Sequence, residues 1–224
     1  MKTVYNDFTR PSQELLAGYR EILAEYSPSC LVVDARHRAG AIGGLRPVRR
    51  EHRVVGAAFT VDLHIDDLVD CMPVLRYAQP GDLIILACHG AMRTAMWGAL
   101  MTTICQKAEI VAGIVDGAVR DVDEIYDLDF PLWYRGTVPR ASPTQVHSRT
   151  EPVRVNVPVV IDSEVVEPGD IVVADVNGVA VVPATSAADV LVRAHEQMEK
   201  EVVVRKRISS GASVADLVAE FGHL

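Results

Sequence analysis

Arg120 and Asp121 stand side by side directly after the largely apolar run 111–119. A guanidinium can grip a carboxylate or an enolate through two hydrogen bonds, and a neighbouring carboxylate is a ligand for a hard divalent cation. The pair has the makings of an electrophilic site for a small acid. It equally suits an Arg–Asp pair that caps the helix behind it. Upstream, Trp97-Gly98-Ala99-Leu100 lies at or near a helix start, where amide groups without intrahelical partners suit a carboxylate. Gly98 also fits a plainer role, letting a helix pack close to a strand.

Other chemistries lack their signatures. There is no GxxxxGK[ST] loop, no strand running into GxGxxG, no GxSxG elbow and no HExxH helix. His37, His52, His64, His89, His147, His195 and His223 show no metal-ligand spacing, so surface or packing roles are expected for them. His89 is singled out only by its place, at the end of a buried strand where α/β sites gather. Cys88 beside it has no nameable electropositive partner and reads as structural.

The elements that must hold these residues follow from periodicity. Leu15, Leu16, Tyr19, Ile22, Leu23 and Tyr26 recur at helical spacing behind Pro11, predicting a helix over 11–26 with the proline in its first turn. The run 30–33 reads as a strand, and a basic, glycine-bearing loop fills 36–53. That loop either reaches a neighbour's site or solvates a surface. Strands are expected over 54–64, 83–87, around Gly113, 131–135, 153–157, 159–161, 171–174 and 179–182. Asp66-Asp67-Leu68 opens a loop, and a short helix ends near Tyr77. A loop over 88–93, a helix over 95–107 and a short helix over 122–128 lie between the central strands.

Asn177-Gly178 predicts a hairpin turn. Thr185 caps a long helix over 185–207, with a further short one over 213–221. Pro80-Gly81-Asp82 and Pro168-Gly169-Asp170 look like one turn-into-strand device used twice. No linker or low-complexity segment divides the chain, so a single α/β domain spanning 1–224 is expected.

Composition narrows the partners. With 22 basic and 30 acidic side chains the net charge is −8, which argues against a general nucleic-acid binder. An anionic substrate then needs a focused positive site, from arginine or from a metal. Cys30, Cys71, Cys88 and Cys105 form no CxxC pair and fit buried apolar roles in a reducing compartment. The N-terminus has no apolar signal core and no run reaches membrane-spanning length, so a soluble cytoplasmic protein is expected.

From about Val54 onward the chain resembles the RraA-like family, which contains the class II pyruvate aldolase for 4-hydroxy-4-methyl-2-oxoglutarate and proteins that bind and inhibit ribonuclease E. The resemblance is carried by Trp97-Gly98, the run ending Asp116-Gly117-Ala118-Val119-Arg120-Asp121, Phe130-Pro131 and Arg135-Gly136. It continues through Pro168-Gly169-Asp170, Ala174-Asp175, Asn177-Gly178-Val179 and Val182-Pro183. It implies a swivelling β/β/α core with a long C-terminal helix, assembled as a homotrimer or hexamer with sites between subunits. It implies Asp121 as the ligand of a divalent metal, Mg²⁺ or Mn²⁺, and Arg120 as the catalytic residue that holds the keto-acid end and steadies enolate charge. The amides around Gly98, at Ala99 and Leu100, would take the substrate carboxylate. A glutamate of a neighbour's C-terminal helix, Glu199 or alternatively Glu196, would complete the metal shell.

One departure bears on activity. The family's aldolase pattern is Asp-x20-Arg-Asp, and its first aspartate falls on Ala99. That carboxylate handles the proton of the pyruvate enolate, and alanine cannot. General acid–base help is worth roughly 10²–10⁴-fold, so aldol cleavage should suffer more than decarboxylation of oxaloacetate unless another group such as His89 or Asp67 substitutes. Two functions therefore stand side by side: a metal-dependent lyase acting on a small 2-keto acid, and a non-catalytic regulator that binds a protein such as ribonuclease E.

Overall fold

The computed structural model describes residues 3–63, 72–141 and 153–222. His64, Asp66, Asp67, Leu68, Cys71, His147 and His223 lie outside the described residues. In chain order the first elements are β1 (Val4–Tyr5), α1 (Gln13–Ile22), α2 (Pro28–Ala35), β2 (Ala41–Ile42), β3 (Arg46–Pro47) and β4 (Val54–Asp62). A 3₁₀ turn (Met72–Tyr77) leads to β5 (Asp82–Trp97), α3 (Ala99–Lys107), β6 (Ala112–Val119), α4 (Val122–Asp127) and β7 (Leu132–Thr137). Then come β8 (Arg154–Val155), β9 (Val159–Ile161), β10 (Glu164–Val166), β11 (Ile171–Asp175) and β12 (Gly178–Val182). After a second 3₁₀ turn (Ala184–Ser186), α5 (Ala187–Ser209) and α6 (Val214–Phe221) close the chain.

The main sheet runs β2-β12-β11-β4-β5-β6-β7-β3, with β4 to β7 parallel and the flanking strands antiparallel. Every residue of β4, β6, β11 and β12 is buried, as expected of strands covered on both faces. Alternation along the strands sorts the core into layers. Phe59, Val61, Ile84, Leu86, Val115 and Val119 pack with Met101, Cys105 and Ile125 of α3 and α4. On the same face Val55, Ile171, Val173, Ala180 and Val182 pack under α1, α2 and α5. The opposite face, with Ala58, Leu83, Ile85, Ile114 and Val172, is covered by Val159, Ile161 and Val166 of the β9–β10 hairpin. Helices on one face and a hairpin on the other make the β/β/α architecture that the resemblance implies. Among the described residues no helix is long and apolar enough to cross a membrane.

The paired Pro-Gly-Asp turns are the same device. Gly81 and Gly169 both take φ +89°, open to glycine at little cost. Asp82 then accepts the Gln79 amide and Asp170 the Glu167 amide, each closing its turn three residues back.

Several elements differ from expectation. The run 30–33 is helical: Pro28 occupies a first-turn position, and Ser29, Leu31, Val32 and Ala35 are buried, which a helix places on one side. A short apolar run of β-branched residues does not reveal its period, and packing against α5 and the sheet decides it. The first helix spans Gln13–Ile22, shorter than 11–26, so Pro11 lies ahead of its first turn and Ser12 caps it by accepting the Leu15 amide. The C-terminal helix begins at Ala187, two residues after Thr185, and extends to Ser209. The hairpin before it closes on the pair Asp175↔Gly178, so its turn is Val176-Asn177, one residue earlier than expected. Cys88 and Cys105 are buried, whereas Cys30 is exposed.

The segment 88–97 carries the most consequential difference. Residues 95–97 continue β5 instead of starting a helix, and α3 begins only at Ala99 after Gly98. Within β5 the pairs Leu86↔Val115, Ala91↔Gly117, Ala95↔Ala118 and Trp97↔Val119 show repeated register shifts. The stretch expected as a loop is thus part of a strand whose register against β6 shifts three times.

Candidate active site

The sequence places Arg120 and Asp121 just past the C-terminal end of β6, the usual location of sites in parallel sheets. Pairing of Trp97 with Val119 brings the end of β5 beside them, and the Arg120 amide donates to the Trp97 carbonyl at 2.9 Å. Gly98 and the first turn of α3 therefore meet Arg120 and Asp121 at one point. Asp121 Oδ2 accepts the Ala99 amide at 3.2 Å and lies 3.4 Å from Arg120 Nε. A Cβ on Gly98 would sit 2.7 Å from that same Oδ2 and 3.2 Å from Arg120 Cγ, so only glycine leaves the carboxylate where it is.

This geometry refines the helix-cap alternative. Asp121 does occupy the N-cap position of α4, in the left-handed region at φ +57°, but its side chain makes no cap hydrogen bond there. It turns instead to the N-terminus of α3, where the helix dipole favours a negative charge. Both side chains are 39 % exposed, enough for Asp121 Oδ1 and the Arg120 Nη groups to meet a ligand. The Nη groups have no protein acceptor among the described residues.

The remaining candidates are distributed differently. Ala99 is buried, so no side chain at that position intrudes on the site, while Leu100 exposes its side chain and keeps its amide in the first turn of α3. Glu196 and Glu199 are exposed on α5, which packs on α1 and α2. Among the described residues no hydrogen bond or ion pair links either glutamate to Asp121. Among the described residues no group of three His, Cys, Asp or Glu side chains is arranged to hold a metal ion. One half-exposed carboxylate still suits Mg²⁺ or Mn²⁺, because small hard cations retain several waters and often take only one or two protein carboxylates.

A second polar cluster, unanticipated from the sequence apart from His89, occupies the same end of the sheet. His89 Nε2 lies 2.8 Å from Asp62 Oδ1 at the end of β4, and Arg154 of β8 pairs with Asp62 Oδ2. Next to them the Gly90 amide donates to Asp116 Oδ2 at 3.2 Å, while Arg135 of β7 grips Asp116 Oδ1. Asp62 and Asp116 are buried. A carboxylate inside an otherwise apolar strand must find a partner, and that requirement was the available signal for Asp116. The partner's identity, supplied by the adjacent strand, was not readable. The basic loop is largely tied to its own chain: Arg36 donates to the Val181 carbonyl, Arg49 to Tyr126 and Arg53 to Leu23 and Glu25.

Comparison with known proteins bears on this arrangement. The family model described as RraA-like, Aldolase/RraA, matches residues 29–181, more than half of the chain. The chain belongs to the RraA-like family. A protein of Halalkalibacterium halodurans, provisionally named 4-hydroxy-4-methyl-2-oxoglutarate aldolase, is 30 % identical over 165 residues, covering 74 % of this chain and 76 % of that protein. Among solved RraA-like structures, Streptomyces coelicolor RraAS2, described as an unusual member of the RNase ES inhibitor RraA family, superposes with a TM-score of 0.75. Its identity is 25 %, and the match covers 89 % of this chain and 99 % of that one. An uncharacterized protein from Pseudomonas syringae pv. tomato gives a TM-score of 0.76 at 27 % identity, covering 94 % and 99 %.

Proposed function

We propose that this RraA-like protein is a divalent-metal-dependent lyase that acts on a small 2-keto acid and generates a pyruvate enolate. The observation that carries this reading is the meeting of Arg120, Asp121 and the amide end of α3 around the glycine at position 98. Asp121 would hold the metal, with Glu199 or Glu196 of a neighbouring copy completing its shell in a homotrimer or hexamer. When bound, Mg²⁺ or Mn²⁺ supplies Lewis acidity toward the keto oxygen.

The chain's own groups account for the remaining chemistry. Arg120 directs its free Nη donors at the keto oxygen, where negative charge develops as a C–C bond breaks. Amides in the first turn of α3, led by Leu100, receive the substrate carboxylate. Carbon dioxide leaves oxaloacetate without a base, whereas aldol cleavage must remove a hydroxyl proton. With Ala99 contributing no acid or base, decarboxylation is the reaction these residues favour.

The test is pyruvate release from oxaloacetate with Mg²⁺ or Mn²⁺, repeated with EDTA and with Arg120→Ala. A rate dependent on both metal and Arg120 is expected. A rate indistinguishable from metal-free background would overturn the lyase reading for that substrate. A second reading, a regulator that binds a protein partner such as ribonuclease E, draws support from Ala99 and from the likeness to RraAS2. Retention of the full Arg120–Asp121 arrangement favours the enzyme.

A further inference from the structure

We infer that His89, oriented by Asp62, is the proton-transfer residue of this site. The inference rests on the lyase reading and adds to it the group that moves the proton.

Four observations converge on His89. It sits where β5 departs from its register with β6, between Leu86↔Val115 and Ala91↔Gly117. Its backbone is held at φ +52°, a left-handed conformation that costs a non-glycine residue about 1 kcal/mol or more and persists only when the surroundings enforce it. Its ring is 40 % exposed, while the Asp62 carboxylate it touches is only 8 % exposed. That carboxylate is shared with Arg154, so it is fixed from both sides. A histidine whose one ring nitrogen donates to a fixed carboxylate has its tautomer set and its other nitrogen left as a base. Here Nε2–H faces Asp62, and Nδ1 has no protein partner among the described residues.

Among the described residues the charged groups around it are Asp62 on β4, Arg154 on β8 and, across Gly90, the Asp116–Arg135 pair of β6 and β7. Each carboxylate is also held by an arginine, so the imidazole makes its one bond to Asp62 and keeps its other nitrogen open.

The cluster and the Arg120 site both lie toward the carboxyl ends of the parallel strands β4 to β6. A Cβ on Gly117 would lie 3.0 Å from Cys88 Cβ, which places the bulge directly over β6. From Gly117 to Arg120 is a further three residues of strand, about 10 Å. That is a backbone separation, which the arginine and histidine side chains shorten from either end, so a keto acid gripped by Arg120 at its keto oxygen would present C3 toward His89. No other histidine among the described residues lies at this end of the sheet with a buried carboxylate behind it; His52 pairs with the exposed Asp129 at the far edge.

The step balances simply. His89 Nδ1 takes a proton from C3 of the keto acid, the C–H electron pair delocalises onto the keto oxygen that Arg120 faces, and the same proton, or one exchanged with solvent, returns to C3. Nothing is oxidised or reduced.

The experiment follows exchange of the pyruvate methyl protons in D₂O by proton NMR, with Mn²⁺- or Mg²⁺-loaded protein, beside loss of oxaloacetate by absorbance. Arg120→Ala should depress both reactions in parallel. His89→Gln should lower the ratio of exchange to decarboxylation about a hundredfold, and Asp62→Asn about tenfold, because imidazole remains but loses its orientation. A His89→Gln protein whose ratio stays within about threefold of wild type overturns the inference while leaving the lyase reading intact. A wild type that performs neither reaction overturns both. A readout independent of turnover is the ¹⁵N spectrum of the histidines in the substrate-free protein at a pH where the ring is neutral. His89 should carry its proton on Nε2; a proton on Nδ1 would also overturn the assignment.

Discussion

Gly98→Ala is the smallest change that should dismantle the site while leaving the fold. The added methyl would stand 2.7 Å from Asp121 Oδ2 and 3.2 Å from Arg120 Cγ and Nε, with neither contact tolerable at full van der Waals distance. Gly98 has φ −153°, an extended conformation open to alanine, so the damage comes from contact and not from backbone strain. The arginine stem can swing away. The carboxylate must retreat by more than half an ångström, which breaks its bond from the Ala99 amide. A hydrogen bond to a charged group is worth about 1.5–3 kcal/mol, and about 1.4 kcal/mol is a factor of ten in affinity. Partial relaxation brings the expected loss to the lower end, so Mn²⁺ affinity should weaken about tenfold and kcat/KM for oxaloacetate should fall by at least that factor. Replacing glycine by alanine at a helix N-cap costs about 1 kcal/mol, so Tm should drop by only about 2–4 °C. Calorimetric Mn²⁺ titration, initial rates and a thermal melt read the three quantities on one preparation. A folded Gly98→Ala protein with wild-type Mn²⁺ affinity and rate would refute the claim that Asp121 must lie against the α3 terminus to work.

The other expectations concern the same elements. Ala99→Asp should raise aldol cleavage of a 4-hydroxy-2-keto acid relative to oxaloacetate decarboxylation, and an equal change in both rates would count against a carboxylate at position 99 assisting aldol chemistry. Gly113→Ala would push a methyl to 2.7 Å from Leu132 and 2.9 Å from the Trp97 ring, so denaturant unfolding should show a loss of about 1–3 kcal/mol. Arg10→Met strips the bidentate partner, at 2.7 and 2.8 Å, from the buried Asp82 carboxylate; a loss of about 3 kcal/mol is expected, and largely recovered in the Asp82→Asn background. The hydrogen bond from His52, with Arg49 close by, holds the Asp129 carboxyl below its usual range. A carboxylate with a depressed folded pKa adds stability above its unfolded pKa, near 3.9, and loses it as pH falls through the folded value. Asp129→Asn should therefore flatten the fall in Tm on acidification below about pH 4, and an unchanged profile would show that the clasp is idle.

What the sequence determined by itself is whatever is local or strongly patterned. The apolar runs 54–59, 83–87, 112–115, 171–174 and 179–182 announce buried strands because no polar face interrupts them. The Pro-Gly-Asp turns announce themselves because glycine at positive φ and an aspartate that bonds three residues back are properties of the tetrapeptide. Arg120-Asp121 is legible as a candidate because both groups are adjacent in the chain and fall at a strand end. Where the period is ambiguous, as in the run 30–33, burial against α5 and the sheet chose helix over strand. Only the tertiary structure decided which helix end Asp121 faces, because the Ala99 amide reaches it through pairing of β5 with β6, 22 residues away. It likewise assembled His89, Asp62 and Arg154 from three strands, one of them 92 residues from its partner. A lone charged residue in a sequence declares that it needs a partner, and the sheet's strand order decides which one it gets.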